Sequence, residues 1–102
     1  MKQPFVLTPH ARADLEAILL DIAADHPGIA DRLRLEFYHG LRGLGRAPDT
    51  GHYREELLDR RYRFWNFYSY VVVHAWRHKP IRVIAVIHGK RDLGAFFGVR
   101  SE

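Results

Sequence analysis

The sequence contains no cysteine. Disulfides and thiolate metal sites are therefore excluded, and the chain suits a reducing compartment. It has no long apolar run: nothing approaches the roughly 20 residues that cross a bilayer. No membrane association is expected. The opening Met1-Lys2-Gln3-Pro4-Phe5-Val6-Leu7 has too short an apolar stretch to read as a signal peptide. The seven histidines show no H-E-x-x-H or comparable spacing, which argues against a metal site. A phosphate-binding G-x-x-x-x-G-K-[ST] loop is absent, as is a G-x-S-x-G nucleophile turn, so ATPase and hydrolase readings have no motif behind them. No cofactor is expected.

The most informative absence is local. Residues 60–91 hold no Asp or Glu but eight basic residues: Arg60, Arg61, Arg63, Arg77, Lys79, Arg82, Lys90 and Arg91. Residues 1–59 carry seven basic residues against ten acidic ones, within an overall charge of +4. A one-signed segment attracts polyanions or an acidic partner. It reads equally as ordinary surface charge in a chain whose basic residues are mostly Arg.

What is present suffices for one compact domain spanning 1–102, with 47% hydrophobic and 13% aromatic residues. Phe5-Val6-Leu7 reads as a short strand. Thr8-Pro9 reads as a helix start, with Thr8 as N-cap and Pro9 at the first helical position. Leu15, Ile18, Leu19 and Ile22 then follow at the spacing of a one-sided helix, with Asp14, Glu16, Asp21 and Asp25 on other faces. His26-Pro27-Gly28 stops this helix. A second helix starts near Ile29, its stripe made of Ile29, Leu33, Phe37, Leu41 and Leu44, and Gly45 to Pro48 end it. A short link makes the two helices an antiparallel hairpin.

From Arg60 the period changes, and Arg60 to Phe67 alternates basic and aromatic residues. Tyr68-Ser69 reads as a tight connection. Tyr70 to Trp76 is β-branched and aromatic, a strand pattern. Arg77-His78-Lys79-Pro80 turns the chain. Ile81 to His88 reads as another strand, with Ile81, Val83, Ala85 and Ile87 on one face and Arg82, Ile84, Val86 and His88 on the other. Links this short demand antiparallel hairpins. Glu55 to Leu58 fits either a helical turn or an extended lead-in, and Asp92 to Phe97 either a short helix or a final extended piece. The expected fold is α+β, in the order β-α-α-β-β-β, with a helical hairpin on a small antiparallel-rich sheet that strand one joins.

Four stretches in this order resemble the ParE/RelE toxin superfamily of type II toxin–antitoxin systems, and its ParE-like members in particular. Ala11, Asp14, Leu15 and Ile18 fill an Ala-x-x-Asp-Leu-x-x-Ile pattern on the first helix. Ala30-Asp31-Arg32-Leu33 is similar to the start of the second. Pro48-x-x-Gly51 with Arg54-Glu55-Glu56-Leu57 resembles the middle loop. Val86-Ile87-His88-Gly89-Lys90-Arg91-Asp92-Leu93 resembles the closing strand with its His-Gly-x-Arg-Asp ending. The resemblance implies a cytoplasmic growth-inhibiting toxin, of a kind linked to plasmid stabilisation, that forms a hetero-oligomer with a cognate antitoxin. It also implies one of two targets: DNA gyrase, bound without catalysis, or mRNA on the ribosome, cut by an endoribonuclease.

Cleavage by 2′-OH attack needs a proton acceptor, a phosphorane stabiliser and a proton donor. Arg61 and Arg63 could grip phosphate, and His88 could move protons. The tail Leu93 to Glu102 has neither Tyr nor His, where RelE-like ribonucleases often place an acid/base. That favours the gyrase reading, with Arg61, Arg63, His88, Lys90 and Arg91 as target or antitoxin contacts. Arg61 and Arg63 read equally as charges that keep an edge strand from aggregating, and His88 as a structural residue. His74, inside a β-branched run, reads as a packed, hydrogen-bonded histidine. The dense aromatics of residues 62–76 suit base stacking, but more readily a sheet core. The partner implied for the basic segment is an acidic, amphipathic antitoxin segment that folds on the toxin.

Overall fold

The computed structural model describes residues 4–48 and 61–89. Six elements follow in chain order: β1 (Phe5–Leu7), α1 (Pro9–Asp25), α2 (Pro27–Arg46), β2 (Tyr62–Phe67), β3 (Tyr70–Ala75) and β4 (Ile81–His88). The order is the β-α-α-β-β-β expected of an α+β fold of the ParE/RelE-like kind. Residues 49–60 and 90–102 lie outside the described set, and with them the readings placed on Glu55–Leu58, Asp92–Phe97 and most of the middle loop.

Thr8 caps α1 through its side-chain oxygen, which accepts from Ala11 N–H at 3.2 Å, and Pro9 takes the first turn. His26 ends α1, its N–H donating to Ile22 C=O, and its own C=O accepts from Ala30 in the first turn of α2. The second helix thus begins at Pro27 rather than near Ile29. Pro27 needs no N–H partner at a helix start, so it opens the helix that it was expected only to precede. At the far end α2 runs on through Gly45, where an added Cβ would lie 2.5 Å from the Pro4 carbonyl oxygen. The helix still ends within the expected Gly45 to Pro48, at Arg46 with Ala47 as cap, and Gly45 also admits the close approach of Pro4.

The sheet order is β1-β4-β3-β2. Strand β1 pairs parallel with β4, Leu7 beside Val83, while β2–β3 and β3–β4 are antiparallel. The Tyr68-Ser69 connection is tight, with Tyr68 at φ 55°. Its hydroxyl donates to Glu36 at 2.7 Å, which ties the turn to α2.

One face of the sheet packs on the helices. Phe5, Leu7, Val72, Ile81, Val83 and Val86 meet Leu15, Leu19, Phe37, Leu41 and Leu44 there, joined by Trp65 and Phe67. Each such side chain contributes about 1.5–3 kcal/mol by leaving water. The stripe expected on α2 is mostly inward, but its first member, Ile29, is 40% exposed and Ala30 is buried instead. Trp65 lies over Gly40, where a Cβ would collide with the ring. A second buried cluster, Tyr62, Phe64, Val71, Val73, Ala75, Ile84, Ala85 and Ile87, occupies the opposite face.

The strict alternation expected of β4 does not hold. Val73 pairs with Ala85 and His74 with Val83, so Ile84 is an extra residue, a β-bulge. Ile81, Val83 and Val86 face the helices, whereas Ile84, Ala85 and Ile87 belong to the other cluster. Among the described residues no helix is long and apolar enough to cross a membrane.

Candidate functional site

The polar side chains of the sheet gather at its two ends. At one, Arg63 on β2 stands directly across from His74 on β3. The Arg63 guanidinium lies 5.2 Å from the Trp76 ring centre, the Arg77 guanidinium 4.8 Å from the same ring, and the Arg61 guanidinium 5.1 Å from the Tyr62 ring. Guanidinium planes held on aromatic faces are oriented before any anion arrives, which suits forked contact with carboxylate or phosphate.

His74 is wholly buried. Its Nε2 lies 3.3 Å from the Pro48 carbonyl oxygen. A carbonyl can only accept, so this nitrogen carries the proton. Among the described residues Nδ1 has no hydrogen-bond partner. Burial above all, and then the Arg63 charge, lower its pKa to about 4, against the raising effect of the Pro48 bond. His74 is therefore a neutral packed ring near pH 7, bonded through one nitrogen.

At the other end, His88 pairs with Tyr70, their rings meeting edge-on at 5.6 Å. They border a cavity of about 510 Å³ together with Asp14, Ile18, Asp21 and Val86. Asp14 was expected on a face of the helix other than the apolar stripe. Its Oδ2 accepts the Val86 N–H at 3.0 Å. Strand β1 has already ended at Leu7, beside Val83, so this carboxylate takes a ladder bond that a longer β1 would have made.

The two ends are far apart. From the row of Arg63 and His74 to the row of Phe67, Tyr70 and His88 is four residues, about 13 Å along the strands, and β2 and β4 are about 10 Å apart across β3. Arg61 and Arg63 are thus neighbours, and His88 is not with them. Lys90 and Arg91 lie outside the described residues. Trp76 and Arg77 complete the stacked group and were not singled out from the sequence. The signal was available: Trp76 and Arg63 are diagonal positions on a β2–β3 hairpin. Among the described residues no group of His, Asp and Glu could hold a metal.

The sequence that builds this framework matches a known family. A family model for the ParE toxin of the type II toxin–antitoxin system parDE covers residues 5–93. The chain belongs to the ParE toxin family. It is thus a toxin of a type II toxin–antitoxin system. No curated protein matches the sequence. Within this ParE-family fold the first-helix residues Ala11, Asp14, Leu15 and Ile18 all serve structure: Ala11 and Leu15 are in the core, Ile18 packs against it, and Asp14 holds β4. The closing-strand resemblance enters the described residues only as Val86 to Gly89, where the Gly89 N–H donates to Ser69 C=O at 2.9 Å.

Proposed function

We propose that this ParE-family toxin arrests growth in the cytoplasm by binding DNA gyrase, without catalysing a reaction, and that a cognate antitoxin neutralises it in a hetero-oligomer. The observation that carries the non-catalytic reading is the distance between the two ends of the sheet. A ribonuclease must bring its phosphate-gripping and proton-moving groups within hydrogen-bond reach of one phosphate. Arg61 and Arg63 on one side and His88 on the other are separated by the Phe64, Trp65 and Asn66 rows. A supercoiling assay with purified gyrase is the test. Inhibition at stoichiometric toxin is expected, and full supercoiling in excess toxin removes this target.

The all-basic segment favours one alternative, a ribosome-dependent mRNA endoribonuclease, since stacked guanidiniums bind phosphate. Primer extension on mRNA after induction should show no new ends. Cleavage sites that vanish in an Arg61/Arg63 variant would establish the alternative instead.

The antitoxin segment proposed here is net acidic and amphipathic. Its apolar side chains supply most of the affinity, and its carboxylates mainly set orientation and association rate, since exposed ion pairs contribute only about 0–1 kcal/mol each. Arg61, Arg63 and Arg91 are the contacts proposed in the basic segment. Replacing all three should slow association and flatten its salt dependence. Association at the wild-type rate in low salt would exclude that surface.

A further inference from the structure

The opposite edge of the sheet carries a second surface, built without the basic segment. Among the described residues strand β1 is the outermost strand on that side. Thr8 N–H donates to Val83 C=O at 3.0 Å, so Thr8 and, two residues back, Val6 turn their main chain toward β4. By alternation Phe5 and Leu7 turn their N–H and C=O groups outward, where no described strand pairs with them.

A cavity of about 660 Å³ runs along this edge, within the size range of binding clefts. Phe5, Val6 and Leu7 all line it. Consecutive strand side chains alternate between faces, so the cavity follows the rim of the sheet rather than one side of it. Tyr38 and Pro80 add apolar wall, and Arg12 from α1 and Arg42 from α2 stand at its border. Both arginines are exposed, and neither is in an ion pair among the described residues. Tyr38 and Arg42 are four apart on α2 and so share a face. The rim is held firmly: Pro4 abuts Gly45, and the Phe5 and Tyr38 ring centres are 6.0 Å apart.

We propose that this edge docks an extended acidic segment of the neutralising partner, which adds beside β1 as a fifth strand and sets carboxylates on Arg12 and Arg42. The proposal rests on the reading that the toxin has such a partner. An open main-chain edge supplies affinity through ladder bonds, and pockets for alternate side chains supply selection. One side chain of the added strand fills the apolar cavity beside Phe5 and Tyr38. Residues two positions away lie on the same face, where acidic side chains meet the guanidiniums. A second copy of this chain fits poorly: Phe5-Val6-Leu7 offers no acid, and two-fold pairing through β1 would bring Arg12 and Arg42 of both copies together.

The test uses the purified complex of the toxin with the product of the gene adjacent to its own. Amide hydrogen exchange is followed at Phe5 and Leu7 in the free toxin and in the complex. The same partner is titrated against the Arg12→Glu/Arg42→Glu double variant, whose fold is checked by its thermal melt. Protection of both amides only in the complex, with affinity for the double variant reduced at least tenfold, is the expected result. If the complex forms while the amides exchange as before and the double variant binds as wild type, this surface is wrong and the toxin–antitoxin reading stands. If the adjacent product does not bind the toxin at all, both fall. If the two amides are already protected in the free toxin and it sediments as a dimer, the edge is covered by a second copy and the proposal is overturned.

Discussion

Where Arg63 faces His74, the histidine ring is wholly buried and kept neutral. Where Tyr70 faces His88, the histidine sits at the exposed end of its strand, and a carboxylate from α1 reaches the main chain of β4. One sheet thus treats the same residue type in two ways. At the first end cations crowd a desolvated ring, and charge is expelled from the interior. At the second the acidic side chain repairs an incomplete ladder. The arginines at the first end lie over aromatic rings, whereas Asp14 is spent on holding helix to strand.

Four measurements probe that contrast, from the largest effect down. Phe37 stands between the ends, fully buried, with its ring 6.0 Å from Trp65 and 5.3 Å from Phe67. Phe37→Ala should cost about 3–5 kcal/mol in urea denaturation. A loss below about 1 kcal/mol would mean that the ends do not share one core.

His74 should make the basic end acid-sensitive. The unfolded ring takes up a proton below its ordinary value of 6.5, while the folded ring resists until about 4. The unfolded state binds more protons in between, so stability falls as pH falls across that window. The loss is about 2 kcal/mol by pH 5 and about 3 kcal/mol by pH 4. His74→Gln keeps a donor for Pro48 and should remove that share of the slope. Equal slopes in both proteins would assign it to other groups.

At the opposite end, Asp14→Ala leaves the Val86 N–H without its acceptor and should cost about 1–3 kcal/mol. Asp14→Asn retains an acceptor oxygen and should cost less. Faster exchange of the Val86 amide in the alanine variant alone is the specific sign. The smallest effect belongs to neither end. Arg34 holds both carboxylate oxygens of Glu16 across the helical hairpin, and that bond lowers the Glu16 pKa, but both side chains are over 40% exposed. Solvent screening leaves Glu16→Gln costing well under about 1 kcal/mol by thermal melt.

Much of the fold was legible in sequence because it follows from local rules. Helix stripes at Leu15, Leu19, Phe37 and Leu41, the Thr8-Pro9 cap and the short links between strands each carry their own signal. The parallel pairing of β1 with β4 does not, since no local pattern records which distant strand a three-residue segment will join. The role of Asp14 was not legible, because a carboxylate off the apolar stripe carries no mark of its partner; that role depends on β1 being too short, a fact of tertiary structure. The candidate site was half legible. Arg61 and Arg63 stand out as basic residues among aromatics, but their distance from His88 required the register. The placing of Arg77 over Trp76 required the turn geometry after β3.

The extra residue at Ile84 divides β4 into two stretches of opposite parity. Odd-numbered positions before it face the helices, and even-numbered positions after it do. A single-residue deletion there would remove the bulge and restore plain alternation, with Ile81, Val83, Val86 and His88 left on the faces they already occupy. The bulge is therefore slack in the strand: it takes up one residue of length without passing a rotation to either half. The half anchored beside β1 and the half leading to His88 keep their faces whether or not that slack is present, so β4 can lose a residue at Ile84 without repacking the helical side of the core.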